Sequence, residues 1–445
     1  MITSYEIYSR LPTFMQSIVI SLLGLKINLL RYDRRFWWFL KKFREIKDTD
    51  LKEYKNELFK ELIAKIKSDP IGRKRFDFLY GAEVLDNLRT LDDLKALRFV
   101  NKYDMRRCLQ RYPIDKQSEK LSSHTSGTTG TGLVFPTNRE LQSAQWAIWW
   151  RYRQQHGIKF NQLCGYFGGR EIVPVQDRTS VYRINFAARQ IMFSGYHLSV
   201  ESCSKYADVI KSKNVRWLHG YPSLISKFAS ICLEQGIDLS ATISIVTLGA
   251  ESLLESQKCI IERAFKCKVA EHYGLAEGVA NISQSTDNGL LVDEEFSHVE
   301  FIGTEGQYEI VGTNLFNYQC PFIRYQTGDL VSSVSVDGTR RKVDTIDGRV
   351  EDYIIGYDGT IYGRLDHIFK DCISVREAQI IQSQIGKIDV KIVRELEFKE
   401  SDEAFLKKQF ELRLTGNVEV EFCFVDNIER TGSGKLRFVI SKLDG

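Results

Sequence analysis

Between residues 120 and 300 of this 445-residue chain, short apolar runs alternate with amphipathic segments. The apolar runs CGYFGG, VRWLHGY and ISIVTLGAES are typical of buried strands. The segments SLISKFASICLEQG and LLESQKCIIERAFKC are typical of the helices that follow such strands. This alternation predicts an α/β fold with a parallel sheet, because a helix carries the chain back to begin the next parallel strand. Binding sites are then expected at the carboxyl ends of the strands.

The pattern on either side of this region predicts further domains, for which the chain is long enough. Residues 46–110 have apolar side chains three or four apart, which indicates helices, and Pro70 and Gly72 interrupt them. Strand-like, turn-rich sequence fills 296–365, and mixed helices and strands follow. We therefore predict a helical segment, a large multi-layered α/β domain and a small α+β domain, over residues 1–84, 85–348 and 349–445.

Composition and charge narrow the class of protein. The chain is 43% hydrophobic and 27% charged, which argues against disorder. Nine scattered cysteines without a CxxC pair, the nearest two being Cys259 and Cys267, predict reduced thiols and a cytoplasmic protein without a zinc site. A net charge of +4 gives no argument for a nucleic-acid partner.

The N-terminal segment is basic, since residues 1–45 carry eight Lys/Arg against three Asp/Glu. Its uninterrupted apolar run is well below the roughly 18 residues needed to cross a bilayer, and no small-residue cleavage site of a secretory signal follows. Two interpretations stay open. The segment is a helix docked on the protein's own core, or it is an amphipathic helix lying on the inner membrane face, as Trp37, Trp38 and their basic neighbours suggest.

A glycine-rich segment, LSSHTSGTTGTGLVF at residues 121–135, could wrap a phosphate with its backbone N–H groups. It lacks the lysine of GxxxxGK[ST], which argues against a phosphate-loop NTPase. Four later segments are each compatible with an ordinary turn, helix start or solvated loop. They are EHYGLAEG, IRYQTGDL, DGRVEDY and ERTGSGKLR, at residues 271–278, 323–330, 347–353 and 429–437.

Together and in this order, the five segments resemble the motifs of the adenylate-forming, acyl-CoA synthetase superfamily. The chain is most similar to the phenylacetate–CoA ligase branch. Within it, FGGREIVP, HGYPS and GRLDHIFKDCISVREAQIIQ resemble a subgroup associated with capsular-polysaccharide and O-antigen gene clusters. The phosphate loop departs from the superfamily by having Thr131 where a lysine often stands.

The resemblance implies an AMP-forming ligase that uses ATP and Mg²⁺ to activate a small carboxylic acid as an acyl-adenylate. The acyl group would pass to an amine or hydroxyl acceptor in cell-surface polysaccharide synthesis, or to coenzyme A as in a phenylacetate-type ligase. The enzyme would be a monomer or a homodimer. A non-catalytic scaffold is the alternative from another class, and the presence together of Glu277, Asp329 and Lys435 argues against it.

The same resemblance assigns roles to residues. Glu277 would bind Mg²⁺, Asp329 the ribose hydroxyls, and Arg349 the ribose or phosphate. Lys435 would bridge the carboxylate and the α-phosphate during adenylation only, after which the small domain rotates about a hinge at Glu351. The remaining nucleotide contacts are expected from Ser126, Gly127, Thr128 (also in a catalytic role), Thr129, Gly130, Gly249, Ala250, Glu251, Tyr273 and Gly274.

The pocket for the carboxylic acid is expected between the phosphate loop and the segments YFGGR, HGYPS and EHYGLAE. Its lining would comprise Tyr166, Phe167, Arg170, Tyr221, His272 and Tyr273. Arg170 has two equally supported roles: its guanidinium pairs with an acidic group of a substrate, or it forms a structural salt bridge to Glu171 or Glu251.

Overall fold

The computed structural model describes residues 4–125, 133–287, 289–304, 306–337, 340–349, 354–362, 365–369, 372, 374–414, 416–430 and 436–443. The helices are α1 (Ser4–Ser9), α2 (Thr13–Arg31), α3 (Arg34–Glu45), α4 (Leu51–Ser68), α5 (Pro70–Tyr80), α6 (Lys102–Arg111), α7 (Arg139–Gln155), α8 (Cys203–Ser212), α9 (Pro222–Glu234), α10 (Glu255–Phe265) and α11 (Glu400–Leu414). Short 3₁₀ helices lie at Asp48–Asp50, Leu85–Asn87, Leu91–Ala96 and Leu365–Phe369.

The strands are mostly short. They are β1 (Leu121–His124), β2 (Val134–Thr137), β3 (Cys164–Gly168), β4 (Tyr182–Asn185), β5 (Gln190–Ser194), β6 (Trp217–Gly220), β7 (Ile245–Leu248), β8 (Lys268–Gly274), β9 (Asn281–Gln284), β10 (Leu290–Val292), β11 (Ser297–Thr304), β12 (Gln307–Asn314), β13 (Tyr325–Val331), β14 (Val334–Asp337), β15 (Arg340–Val343), β16 (Ile346–Arg349), β17 (Ile354–Ile355), β18 (Ile361–Tyr362), β19 (Val375–Gln384), β20 (Lys387–Arg394), β21 (Glu419–Phe424) and β22 (Val439–Ser441).

The chain divides into two compact units, each made of separate stretches of sequence. Unit 1 comprises residues 1–26, 161–271 and 347–445, and unit 2 comprises residues 27–160 and 272–346. Strand β8 contributes its first part to unit 1 and its last three residues to unit 2. The predicted division at residues 84 and 348 remains a prediction.

The main sheet of unit 1 has the predicted α/β character. Its strand order is β4-β5-β3-β6-β7-β8, and every neighbouring pair is parallel except β4 with β5. Helices α8, α9 and α10 alternate with these strands along the chain, as the apolar runs predict. The core contains the buried side chains of Phe167, Phe193 and Phe228, whose rings stack.

The C-terminal part of unit 1 forms a second sheet, in the order β21-β20-β19-β22, with α11. Strands β19 and β20 are antiparallel, while β22 and β21 pair with them in parallel. Apolar side chains of the sheet and helix, including Ile380, Ile392 and Phe410, are buried together. This arrangement confirms the α+β character that the sequence predicts for the end of the chain.

Helix α2 is where the structure departs most from expectation. By length and composition alone, the 19 residues of this helix are long and apolar enough to cross a membrane. Polar residues and one lysine interrupt the apolar residues along it, so no uninterrupted apolar run has that length. Its buried residues are the polar or small Gln16, Ser17 and Gly24, whereas Phe14 and Leu22 are exposed. The helix therefore docks on the protein, but with the face opposite to that of a core-docked helix.

Unit 2 combines most of the N-terminal helices with antiparallel strands. Helix α3 packs on α7, and its side chains of Phe36, Phe39, Leu40 and Phe43 are buried. The sheet orders are β8-β9-β10-β15-β14 and β11-β12-β13, and β1 pairs with β2 in a hairpin. The predicted interruption at Pro70 is a helix start, because Asp69 caps the N–H groups of α5 and proline suits the first helical turn.

Three consecutive carboxylates, Asp293, Glu294 and Glu295, are buried inside unit 2. Glu294 bonds to the Nζ atom of Lys55 at 2.7 Å and to the Nε atom of Arg341 at 2.7 Å. Burial alone would raise the Glu294 pKa, but these cations lower it to about 2. Asp293 and Glu295 both pair with Arg151, and Glu295 also pairs with Arg340. Lys55 and Arg341 thus keep Glu294 charged, whereas burial raises the pKa of Asp293 and the charge of Arg151 opposes this only in part.

Candidate active site

The parallel strands of unit 1 end together at one edge of the sheet. Their register aligns Phe167 with Gly220, Gly220 with Leu248, and Leu248 with Glu271. The segments that follow these residues include Tyr221 and the turn of Gly249, Ala250 and Glu251. Ala250 has a φ of 69°, a conformation that non-glycine residues rarely adopt. The predicted adenine-contacting turn therefore lies at the edge expected for ligands.

The Glu251 carboxylate, at this edge of the sheet, is hydrogen-bonded to a residue close to the C-terminus of the chain. Its Oε2 atom accepts hydrogen bonds from the hydroxyl and the N–H of Ser223, at 2.6 and 3.2 Å. Its Oε1 atom accepts the N–H of Leu436 at 2.9 Å, and Leu436 directly follows Lys435 in the sequence. Burial raises the pKa of Glu251, and the bonds from Ser223 and the charge of Arg430 oppose this only in part.

Ser223 and Arg430 belong to this site, although sequence reasoning did not select them. The guanidinium of Arg430 donates to the Ser223 hydroxyl and pairs with Glu377. Both residues lie inside segments that the sequence analysis had quoted, HGYPS and ERTGSGKLR. The signal that could have identified them is an arginine in the lysine-bearing motif together with a serine at the second position of α9.

The predicted pocket residues of unit 1 occupy different environments. Tyr166 is half-buried beside the His219 ring, and burial raises the pKa of Tyr221 to about 12. Phe167 lies in the hydrophobic core, because neighbouring residues on a strand point to opposite faces. Arg170 is exposed, and no salt bridge joins it to Glu171 or Glu251 in the described part of the chain. Its guanidinium is therefore accessible to an acidic group.

In unit 2 the structure brings together two residues from separate predicted motifs. The hydroxyl of Tyr273 donates to the Oδ2 atom of Asp329 at 2.6 Å, and Asp329 is buried. Burial and the Asp329 charge both raise the Tyr273 pKa, so the phenol remains protonated and acts as the donor. Asp329 lies within β13, and its N–H donates to the hydroxyl of Thr327 at 3.0 Å.

The other predicted residues of this unit lie near the same strand end. Glu277 is buried, and its backbone carbonyl accepts a hydrogen bond from the Asn314 side chain. The His272 ring lies 5.7 Å from that of Trp149 and 5.5 Å from that of Tyr152. Gly274 is exposed and stands opposite Asn281 in the β8–β9 ladder.

Several predicted residues lie outside the described part of the chain. They are Ser126, Gly127, Thr128, Thr129, Gly130, Glu351 and Lys435, together with the side chain of Arg349, whose backbone ends β16. The hairpin β1–β2 flanks the phosphate-loop residues in sequence. It is closed by mutual hydrogen bonds between Thr125 and Leu133 at 3.0 and 2.9 Å.

A cavity of about 560 Å³ in unit 2 has a different lining from the predicted site. It is bordered by Arg44, Arg151 and Arg340, by Asp293, and by polar side chains such as Gln154. The buried ion pairs of residues 293–295 account for much of its charge, so we do not assign the cavity to the predicted chemistry.

Comparison of the coordinates with solved structures shows that the chain has the fold of the adenylate-forming ligases. A 2-hydroxyisobutyryl-CoA ligase in the postadenylation state, in complex with R3-HIB-AMP, aligns with a TM-score of 0.64 at 16% identity over 86% of this chain and 90% of that chain. The same ligase in an open conformation, in complex with 2-HIB-AMP and CoA, aligns with a TM-score of 0.51 at 17% identity, over 86% of this chain and 91% of that chain.

Sequence comparison identifies a particular relative. Protein CapK from Staphylococcus aureus is 27% identical over 455 residues, which cover 98% of this chain and 99% of CapK. Residues 357–442 match the family model of the CapK C-terminal domain. The match falls within the small domain that the sequence analysis predicts at residues 349–445.

Proposed function

We propose that the protein is an AMP-forming ligase that activates a carboxylic acid with ATP and transfers the acyl group to an acceptor. A carboxylate oxygen attacks the α-phosphorus of ATP, the bond to pyrophosphate breaks, and an acyl-adenylate forms. The nitrogen, oxygen or sulfur of the acceptor then attacks the acyl carbon, loses its proton, and displaces AMP.

The observation that carries this proposal is the hydrogen bond between Tyr273 and Asp329. These residues belong to two motifs of the superfamily, 56 residues apart in sequence. A buried aspartate held by a protonated tyrosine is suited to accept hydrogen bonds from ribose hydroxyls, because its orientation is fixed before the ligand binds.

The charges of the reaction are assigned to three further elements. Ser126, Thr128 and Thr129, with the amides of Gly127 and Gly130, would surround the outer phosphates. Glu277 would hold Mg²⁺, since proteins bind this ion through one or two carboxylates together with phosphates and water. The ion would neutralise charge on the phosphates.

Lys435 would stabilise the charge that develops between the carboxylate and the α-phosphate. The anchoring of its neighbour Leu436 on Glu251 supports this role, because Glu251 lies at the ligand edge of the unit 1 sheet. Arg349 would contact the ribose or phosphate, and Gly249, Ala250 and Gly274 would allow close approach of the nucleotide. Release of Lys435 after adenylation, by rotation about Glu351, would admit the acceptor.

For the acceptor we propose an amine or hydroxyl in cell-surface polysaccharide synthesis. The similarity to CapK over nearly the whole chain supports the capsule-associated subgroup that the sequence motifs suggest. The exposed guanidinium of Arg170 suits an acid or acceptor that carries a second negative group. We place the enzyme in the cytoplasm, as a monomer or homodimer, with peripheral membrane contact through residues 1–45.

Coenzyme A is the second candidate acceptor, as in a phenylacetate-type ligase. It is favoured by the alignment with a CoA ligase whose open conformation holds 2-HIB-AMP and CoA. The two candidates are separated by supplying ATP, a panel of acids, and either coenzyme A or amino-sugar and amino-acid acceptors. Product mass and AMP release identify the acceptor, and turnover with coenzyme A alone would refute our choice.

Pyrophosphate exchange into ATP, driven by a panel of acids, tests the adenylation step itself. We expect exchange with at least one acid, and a loss of two or more orders of magnitude in Lys435→Ala, since one transition-state contact is worth about 3 kcal/mol. ATP binding should change much less. Absence of exchange with every acid would favour the scaffold alternative, and full exchange in Lys435→Ala would remove this lysine from the mechanism.

A further inference from the structure

Helix α2 has one apolar face that the protein leaves uncovered. Its exposed side chains recur every three or four residues, so they form one stripe along the helix. Phe14, Leu22 and Leu29 in this stripe are 67%, 62% and 70% exposed. Further exposed members of the stripe are Met15, Ile18 and Leu25, whereas Leu23 and Ile27 are exposed elsewhere on the helix. Continuous apolar surface of this kind marks a site of contact with a protein or a membrane.

The opposite face of α2 is polar and is fully used within unit 1. The hydroxyl of Ser17 accepts the N–H of Ile184 at 3.2 Å. The hydroxyl of Ser21 donates to the Ser17 carbonyl at 2.7 Å, with a longer contact of 3.3 Å to the Ile184 carbonyl, and accepts the N–H of Phe186 at 3.0 Å. At Gly24 a Cβ atom would lie 2.3 Å from the Oδ1 atom of Asn185. These contacts cover the free edge of β4, so residues 13–26 of α2 are an integral part of unit 1.

A buried arginine fixes α2 more firmly. Arg183 is fully buried and donates from its Nε atom to the Oε1 atom of Gln16 at 2.6 Å. Its remaining nitrogens donate to Asp177 and to the carbonyl of Tyr182, both at 2.7 Å. Moving α2 away from the unit would leave the Nε–H without an acceptor inside the protein, which is costly for a charged group.

The basic residues in and after α2 favour an anionic bilayer as the partner that covers the apolar face of α2. The sequence between Glu6 and Asp33 contains no acidic residue, and it contains Arg10, Lys26 and Arg31. Helix α3, which follows in the chain and belongs to unit 2, exposes two tryptophans and five basic residues, namely Trp37, Trp38, Arg34, Arg35, Lys41, Lys42 and Arg44. Apolar residues flanked by tryptophan and basic side chains are the composition of helices that lie at the interface of anionic membranes.

We propose that α2 inserts its exposed apolar face into the boundary between headgroups and acyl chains of an anionic bilayer. The helix lies in the plane of the membrane and keeps its polar face on β4, so it does not span the bilayer. This inference rests on the proposed location of the enzyme and is independent of the adenylation chemistry. The enzyme would then work next to a membrane-bound acceptor.

Sedimentation of the full-length protein with vesicles tests the proposal. The vesicles contain phosphatidylcholine and phosphatidylglycerol in equal parts, or phosphatidylcholine alone. We expect binding to the anionic vesicles, weaker binding at high salt, and release by alkaline carbonate. The triple variant Phe14→Gln, Leu22→Gln, Leu29→Gln should bind on the order of 100-fold more weakly, because each side chain contributes roughly a fivefold factor.

A matched triple variant controls for loss of surface hydrophobicity as such. Val336→Gln, Leu396→Gln and Leu412→Gln replace side chains that are 71%, 78% and 65% exposed elsewhere in the chain. This variant should bind vesicles like the unmodified protein, and both variants should keep its melting temperature and pyrophosphate exchange. Exchange reports on the ligase proposal separately from vesicle binding.

Four results would overturn the proposal. They are no vesicle binding by the unmodified protein, equal binding by the α2 variant, equal loss in the control variant, and retention after carbonate extraction. Dimerisation that the α2 variant abolishes, without vesicle binding, would assign the face to a second copy of the chain instead.

Discussion

Replacing Glu251 by alanine should release the segment that follows Lys435. The Leu436 N–H loses its 2.9 Å bond to a charged acceptor, and such bonds contribute about 1.5–3 kcal/mol. That free energy corresponds to a change of roughly 10- to 150-fold in the equilibrium between attached and released states. The Ser223 N–H and hydroxyl lose the same acceptor, so α9 should also lose stability at its first turn.

Hydrogen exchange at the Leu436 amide measures this change directly. We expect exchange to accelerate roughly 10- to 150-fold in Glu251→Ala, in the range of the bond lost. The amide belongs to the peptide bond that trypsin cleaves after Lys435, so cleavage there should accelerate as well. Pyrophosphate exchange should fall roughly 10- to 100-fold at saturating ATP. Acyl transfer from supplied acyl-adenylate should change far less, because Lys435 is needed only in the first step.

Ser223→Ala is the matched control. It removes the 2.6 Å bond to Oε2 of Glu251 but leaves Oε1 free to accept Leu436. We expect its Leu436 amide to exchange only a few times faster than in the unmodified protein. Circular dichroism melting identifies any general loss of structure. Unchanged exchange at Leu436 in Glu251→Ala, in a protein that remains folded, would refute the anchoring role.

Three further predictions concern unit 2. Tyr273→Phe removes the 2.6 Å bond to Asp329 and should raise the KM for ATP about tenfold in pyrophosphate exchange; an unchanged KM would argue against ribose binding by Asp329. Glu277→Gln should raise the Mg²⁺ concentration needed for half-maximal exchange while the melting temperature is kept, and an unchanged requirement would assign the metal to another carboxylate. Glu294→Gln should lower stability at pH 7 by about 3 kcal/mol, since the Glu294 pKa is lowered from 4.5 to about 2. A carboxyl group whose pKa is lowered by folding stabilises the folded state above its unfolded pKa of 4.5, and this stabilisation is lost as the pH falls to 2. The stability deficit of Glu294→Gln should therefore shrink between pH 4.5 and 2. A constant deficit in denaturant titrations would contradict the ion-pair origin.

The strand ends were predictable because their residues are local in sequence. Short apolar runs that alternate with amphipathic segments predicted β3, β6 and β7, and Tyr221 and Glu251, which follow β6 and β7, lie at the edge expected for ligands. The motif order also linked Tyr273 to Asp329, and the structure shows a direct hydrogen bond between their side chains. Neither the bond nor its direction was predictable, because nothing in the sequence says which oxygen a distant tyrosine reaches.

The orientation of α2 was not predictable for a different reason. Hydropathy along a helix distinguishes a polar face from an apolar face, but it does not say which face meets the protein. Here the free edge of β4 offers backbone groups that need hydrogen bonds, and Ser17 and Ser21 supply them. Similarly, the run Asp293–Glu295 reads as a solvated loop in sequence, and only the distant cations explain its burial.

The buried carboxylate row has an evolutionary consequence. Losing one member of a buried ion pair leaves its partner charged and unpaired, which destabilises a protein by about 3–5 kcal/mol. Single substitutions at these positions should therefore rarely be tolerated, unless an acidic residue and its cationic partner are replaced together. Descendants that have lost Glu294 should have changed Lys55 or Arg341, whereas loss of Asp293 still leaves Arg151 paired with Glu295. Residues 293–295 should therefore change more slowly among related proteins than the exposed residues around them.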